Sequence, residues 1–271
     1  MPLSQKHQIE EFPVGNRALS DHQDRLAKDG LHFHPHAWLS ESDLDSLTNN
    51  GHRTLVDARQ TPLAWMGDYP SKENCLQASD SFLIIHPWDF LRANELYVGA
   101  LSESVIDGEV HPMANIDGFV RIGSGTRILP GVFIEGNVVI GSDCKIGPNC
   151  YLRGNTSIGD RCHIGQSVEI KNSIILSDTN VGHLSYIGDS VLGRKVNLGA
   201  GTTTSNLRHD GANHRSMVDE TLVDTGRRKL GAIIGDGVHT GINTSIYPGR
   251  KLFPNTSTRP GEIVQHDLHA S

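Results

Sequence analysis

The stretch Ile116-Asp117-Gly118-Phe119-Val120-Arg121-Ile122-Gly123-Ser124-Gly125-Thr126-Arg127-Ile128 decides the fold. Its aliphatic residues Ile116, Ile122 and Ile128 stand six apart. The series continues through Ile134, Ile140, Ile146, Leu152, Ile158, Ile164, Ile170 and Leu176. Neither the ~3.6-residue period of a helix nor the alternation of a strand produces this spacing. The fourth residue after each of the first ten is β-branched or small: Val120, Thr126, Val132, Val138, Cys144, Cys150, Thr156, Cys162, Val168 and Ile174. Glycine often follows the aliphatic residue, as in Ile122-Gly123, Ile140-Gly141, Ile146-Gly147 and Ile158-Gly159. The pattern predicts a β-solenoid. Each six-residue unit supplies a short strand and a turn, with the aliphatic residue inward, the smaller one at the corner and Gly or Asn in the turn. No unit buries its apolar residue alone, so the units must stack. Sandwich strands vary in length and do not keep one phase for so long.

Composition narrows the function. A net charge of -7 argues against a broad nucleic-acid surface. No apolar run approaches a membrane span, and the polar start Met1 to Glu11 is unlike a signal peptide, so a soluble cytoplasmic protein is expected. Cys144, Cys150 and Cys162 occupy inward corners and read as small core residues, with Cys144 and Cys162 one 18-residue coil apart and placed to stack.

Residues 1 to about 80 lack the repeat. A capped helix is expected over Ser40–Leu47 and a strand over Thr54–Ala58, giving a small α+β lobe. His32, His34 and His36 alternate and would share one strand face; a polar exposed edge is preferred over a metal site there. Phe82–Ile85 reads as a strand and the segment from Pro87 as a helix. The expected organisation is a lobe and linker over 1–100, a solenoid over 101–258 and a tail over 259–271. Within the solenoid the phase slips where Val181 follows Leu176 by five and Leu192 follows Ile187 by five. An excursion over 205–232, with Arg227-Arg228-Lys229, interrupts it before Ile234, Thr240, Ile246 and Leu252 restore the spacing. A broken repeat marks a place where function needs a non-repeating shape.

The repeat resembles that of hexapeptide-repeat proteins, whose parallel β-helix is left-handed; the hand is implied by that resemblance. The string Pro87-Trp88-Asp89-Phe90-Leu91-Arg92-Ala93-Asn94-Glu95 resembles the joining segment of sugar-phosphate nucleotidyltransferases that carry a C-terminal β-helix. Their Gly-rich N-terminal signature is absent here, so nucleotidyl transfer is not expected. Leu152-Arg153-Gly154, Val168 to Ser173, Gly182 to Asp189 and Val196 to Thr202 resemble the acetyltransferase domain of bifunctional N-acetylglucosamine-1-phosphate uridyltransferase/glucosamine-1-phosphate N-acetyltransferases. The segments Asn206 to Gly211 and Asp224 to Asp236 are similar to the archaeal sugar-1-phosphate nucleotidylyltransferase/acetyltransferases.

The residues make chemical sense in that setting. Amide formation needs a base near neutrality, and an unperturbed histidine titrates at about 6.5, which suits His183. Arg153 and Lys171 should lie one above the other and grip a phosphate, with Glu169 orienting Lys171. Tyr186 and Asn197 supply neutral partners for the sugar. The resemblance gives Ala200 a backbone contact to the acetyl group of acetyl-CoA and places Asn206 at the transfer site. It leaves the family's phosphate-contacting lysine without a clear counterpart, with His214 and Arg215 the nearest basic residues. Arg227, Arg228 or Arg250 are candidates for holding CoA, and a homotrimer is implied. The expected reaction is acetyl transfer from acetyl-CoA to a hexosamine 1-phosphate, with no metal. Three alternatives stand: another amino-sugar acceptor, a hexapeptide-repeat carbonic anhydrase with His163, His183 and His209 converging on zinc across a subunit interface, or a non-catalytic partner of a separate nucleotidyltransferase.

Overall fold

The structure is a computed structural model and describes residues 2–270. From Val105 onward the chain winds as a left-handed parallel β-helix with three faces. The first face stacks eight strands, from Val105–Ile106 to Lys251–Leu252. The second stacks six, from Glu109–Val110 to Asn197–Leu198, and isolated bridges extend it to His239 and Ser257. The third stacks eight, from Asn115–Asp117 to Ile263–Val264. In most strands one aliphatic residue points inward, and these residues form a single continuous core from Val120 to Val264, with Thr204 taking the inward place in Thr203–Thr204. Corner side chains run ladders inside it. Thr156 Oγ1 accepts from Ser173 N, Ser173 Oγ from Ser190 N, and Ser190 Oγ from Ala232 N at 3.3, 3.0 and 2.9 Å. Cys144 and Cys162 stack as expected: Cys162 N donates to Cys144 Sγ at 3.4 Å, and both are free thiols.

The first phase slip lies one unit earlier than the spacing suggests. Leu152 pairs with Ile170 at an offset of 18, but Ile158 pairs with Ile175 at 17. The inward residue is therefore Ile175, and the corner residue is Ser173 rather than Ile174. Ile174 and Leu176 point outward and are buried against the N-terminal lobe together with Val191 and Ile233. A strand covered on both sides reads as a continuous apolar run, which is why Leu176 continues the six-residue series by coincidence. The second slip stands where expected, with Leu192 inward. The solenoid also continues past 258: Ile263–Val264 stacks on Ser245–Ile246, and Leu268 bridges Leu252.

The N-terminal lobe has helices α1 (Leu19–Leu26) and α2 (Glu41–Asn49) and a sheet ordered Leu31–Phe33, Pro62–Met66, Thr54–Val56, Cys75–Gln77. Ser40 caps α2 by accepting from Asp43 N at 3.2 Å. Of the three alternating histidines only His32 lies on a strand, where it stacks on Trp65; His34 and His36 follow in a turn. Among the described residues no group of three or more His, Cys, Asp or Glu is arranged to hold a metal, and no helix is long and apolar enough to cross a membrane. Helix α3 (Pro87–Gly99) starts at Pro87, and Asp89 accepts from the backbone of Ile85 and His86 at 2.9 and 2.8 Å. Its buried side, including Phe90, Leu91 and Ala93, packs on the outward apolar residues of the first face.

Candidate active site

The corner between the third and first faces changes character along the solenoid. In the early coils it is a column of glycines, Gly118, Gly136 and Gly154, all with positive φ. In the next two coils Asn172 and Asp189 take that place at φ 46° and 49°, where each coil is 17 residues long. Left-handed backbone is costly for most residues, and Asn and Asp tolerate it best. The shortened corner thus puts side chains where the regular repeat has none.

Asp189 is 3% exposed and collects three donors. Its Oδ2 accepts from Lys171 Nζ at 2.8 Å and Asn206 Nδ2 at 2.6 Å, and its Oδ1 from Asn172 Nδ2 at 3.0 Å. Asn206 Nδ2 also reaches Tyr186 Oη at 3.2 Å. Burial, reinforced by the nearby charges of Glu169 and Asp189, raises the Tyr186 phenol above its ordinary value and keeps it a donor. Gly188 leaves room for this contact, since a Cβ there would lie 2.5 Å from Tyr186 Oη and 2.8 Å from Asn206 Nδ2. Lys171, Tyr186 and Asn206 therefore form one cluster, organised by an aspartate that lay inside the motif without being singled out. The replacement of glycine by Asn172 and then Asp189 in one corner column was the signal that could have found it.

Arg153 lies directly over Lys171 in register, as the 18-residue spacing requires. The partners differ from expectation. Glu169 binds Arg153, at 2.7 and 2.8 Å, and Lys171 turns to Asp189. On the strand Glu169–Lys171 both side chains flank the inward Ile170, and each takes its partner from an adjacent coil. Both cations thus already carry a carboxylate.

The opposite corner, between the second and third faces, carries His183. Each turn there donates back to the coil before it: Leu184 N to Gln166 O, Gly201 N to His183 O, and Asn243 N to Ala200 O, at 3.0, 2.9 and 2.7 Å. His183 is exposed and stands one coil before Ala200 in this column. It lines a cleft of about 510 Å³ on the second face together with His163, Asn180 and Asn197. Asn197 is therefore on the second face, apart from the Lys171 cluster. His209 lines a different cleft, beside Arg208 and Tyr247, so His163, His183 and His209 do not converge within one chain.

The excursion is a hairpin, Arg215–Val218 with Thr221–Asp224, whose root is tied down. His214 is 3% exposed, and its Nε2 donates to Asn206 O at 3.2 Å. Burial lowers its basicity, so it serves as an internal strut and not as a replacement for the missing lysine. Arg215 is exposed on the hairpin. Arg227, a candidate for CoA, instead pairs with Glu95 of α3 at 2.5 and 3.2 Å and its side chain is 16% exposed. Its charge is satisfied within the chain because α3 passes beside the hairpin root. Arg228 remains exposed, and Arg250 Nε donates to Pro248 O at 3.4 Å.

Comparison with known proteins places this architecture. Residues 134–257 match the profile of the GMPPB C-terminal domain. A bifunctional sugar-1-phosphate nucleotidylyltransferase/acetyltransferase of Sulfurisphaera tokodaii is 42% identical over 182 residues, covering 67% of this chain and 45% of that protein. Bifunctional protein GlmU of Methanococcus maripaludis is 50% identical over 183 residues, covering 68% of this chain and 44% of that protein. The chain thus spans less than half the length of these relatives. Among solved structures, a UDP-N-acetylglucosamine acyltransferase of Francisella novicida aligns at 17% identity over 62% of this chain and 63% of that one, with a TM-score of 0.33. Over residues 134–257 the chain thus matches the hexapeptide-repeat domain of the GMPPB C-terminal kind, and over about two thirds of its length it is similar to the C-terminal part of bifunctional nucleotidylyltransferase/acetyltransferases.

Proposed function

We propose that the chain is an acetyl-CoA-dependent N-acetyltransferase acting on a hexosamine 1-phosphate, with glucosamine 1-phosphate the preferred acceptor. The observation that carries this reading is the arrangement of two groups of polar residues at opposite edges of one face. Lys171, Tyr186 and Asn206 gather on Asp189 at one edge, and His183 with Ala200 stands at the other. A three-residue strand, Tyr186–Gly188, separates the edges, about 10 Å at the usual rise per residue. That span suits a hexose phosphate with its phosphate near Arg153 and Lys171 and its amine near His183.

His183 takes the proton as the amine nitrogen attacks the thioester carbonyl. The C–N bond forms, the C–S bond of the tetrahedral intermediate breaks, and the imidazolium returns the proton to the departing CoA thiolate. Ala200 N–H is the candidate donor to the oxyanion. Arg228 is the candidate for CoA, since Arg227 is paired with Glu95. The name of the Sulfurisphaera tokodaii relative, a sugar-1-phosphate nucleotidylyltransferase/acetyltransferase, supports acetyl transfer beside sugar-1-phosphate chemistry, and a place in UDP-N-acetylglucosamine synthesis belongs to this reading. A homotrimer, which would cover exposed corner residues such as Leu184 and Ile242, belongs to the same reading. So do a cytoplasmic setting and a separate nucleotidyltransferase partner.

One observation favours a second acceptor class. Arg153 and Lys171 each hold a carboxylate, so a phosphate must displace Glu169 or Asp189 to gain their full charge. An amino sugar linked to a nucleotide would place its phosphates elsewhere. The test is release of free CoA thiol with glucosamine 1-phosphate, galactosamine 1-phosphate, a nucleotide-linked amino sugar and no acceptor. Acceptor-dependent release that collapses in His183→Ala supports the proposal. Release with the nucleotide-linked sugar alone transfers it to the second class, and no release with any acceptor overturns it.

A further inference from the structure

We infer that Glu95 is a positioning residue for the sugar-phosphate edge of the site, so that helix α3 of the N-terminal region is a working part of that edge. The inference rests on the acetyltransferase reading above. It begins with the path of α3 along the corner between the third and first faces. Asn137 Nδ2 donates to the carbonyls of Val98, Gly99 and Leu101 at 3.1, 3.1 and 3.0 Å. One coil further, Asn94 Nδ2 donates to Asn155 O at 2.7 Å. One coil further again, Asn172 Nδ2 donates to Glu95 Oε1 at 2.6 Å. The next coil presents Asp189 at the same corner.

Polar contacts thus tie the helix to three coils in succession, and none of them reaches Asp189 directly. The remaining gap is bridged by one side chain. Asn172 Nδ2 carries two hydrogens, and its two acceptors are the carboxylates of Glu95 and Asp189. Glu95 fixes the amide, the amide fixes Asp189 Oδ1, and Asp189 Oδ2 is then aimed at Lys171 and Asn206. Glu95 also holds Arg227. Without Glu95, the Arg227 guanidinium loses its carboxylate, and the Asn172 amide loses one of the two acceptors that hold it against Asp189. Asp189 Oδ2 is then no longer held in line with Lys171 and Asn206. No atom of Glu95 needs to touch the acceptor for this to matter.

The expected effect is selective. In Glu95→Ala the KM for the amino-sugar phosphate rises about tenfold, because a Lys171 no longer held by Asp189 loses the orientation in which it meets the phosphate, a loss the size of one charge-assisted hydrogen bond that outweighs the freeing of its charge, while the KM for acetyl-CoA stays at the wild-type value. Glu95→Gln keeps an acceptor for Asn172 and loses the charge for Arg227, so it recovers part of the acceptor KM; it also serves if the alanine variant folds poorly. A second readout does not need turnover. Lys171 is labelled by an amine-reactive probe, with the exposed Lys145 and Lys195 as internal references, and the sites are resolved by peptide mass spectrometry. Lys171 should label slowly in the wild type and several-fold faster in Glu95→Ala, with the reference lysines unchanged. Unchanged labelling of Lys171 overturns the inference, as does an equal rise in both KM values. If no acceptor is acetylated by the wild type, the acetyltransferase reading fails, and the labelling still decides whether Glu95 sets Lys171.

Discussion

Asp189→Asn is the sharpest perturbation of the site because it changes charge and donor count with almost no change of shape. The native carboxylate faces Lys171 Nζ, Asn206 Nδ2 and Asn172 Nδ2 at 2.8, 2.6 and 3.0 Å. An amide offers one oxygen. In either orientation its NH2 is driven against at least one of these donors, and Lys171, with a side chain only 17% exposed, loses its counter-ion. Removing one partner of a buried pair costs about 3–5 kcal/mol, and the partial exposure of Lys171 puts this case near about 3 kcal/mol. For a chain of this size that lowers the melting temperature by about 6–12 °C. Asp178→Asn is the control: its partner Arg161 is on the surface, with side chains 55% and 35% exposed, and the loss should stay below about 1 kcal/mol. Thermal unfolding followed by circular dichroism measures both. The reasoning is refuted if Asp189→Asn melts within about 2 °C of wild type and keeps its acceptor KM, or if both variants fall equally.

Three further outcomes follow from the structure. Gly188→Ala places a methyl group against Tyr186 Oη and Asn206 Nδ2, and Asn206 is tied to the buried Asp189, so acceptor turnover should fall at least tenfold and stability by about 1–3 kcal/mol; steady-state kinetics beside a melting curve tests this. Burial lowers the basicity of His214, so below about pH 6.5 the unfolded chain binds a proton that the folded chain resists. Stability contributed by the neutral, buried form is therefore lost as the pH falls through that window, and urea midpoints should show a smaller acid loss in His214→Gln. Ile175→Ala and Leu176→Ala each remove a buried aliphatic side chain, at a cost of about 2–5 kcal/mol. Hydrogen exchange should rise around Ile158 and Leu192 in the first and around α3 in the second; the reverse would restore the uncorrected register.

The solenoid was legible because its physics is periodic. Each aliphatic residue from Ile122 to Ile170 must be buried by its neighbours, and because every unit is one short strand and one turn, that requirement recurs every six residues. The register near the site was not legible to the residue. Ile174, Ile175 and Leu176 are all buried, one inward and two under the lobe, and hydrophobicity does not say which. Stacking of Arg153 on Lys171 followed from the coil length. Their partners did not, because pairing depends on where a shortened corner aims Asp189 and on which coil supplies Glu169. The ion pair of Arg227 with Glu95 joins residues 132 positions apart, a contact that only the packing of α3 against the hairpin root creates. The capped helix at Ser40 was readable because a cap is a local device.

The most direct test of the central claim is to watch the bond form. Glucosamine 1-phosphate labelled with 15N at the amine is incubated with acetyl-CoA and the protein, and the reaction is followed by 1H–15N correlation spectroscopy. The account predicts a new amide N–H signal that grows in step with free CoA, in wild type and not in His183→Ala. CoA release without an amide signal, or an amide signal undiminished in His183→Ala, would contradict it.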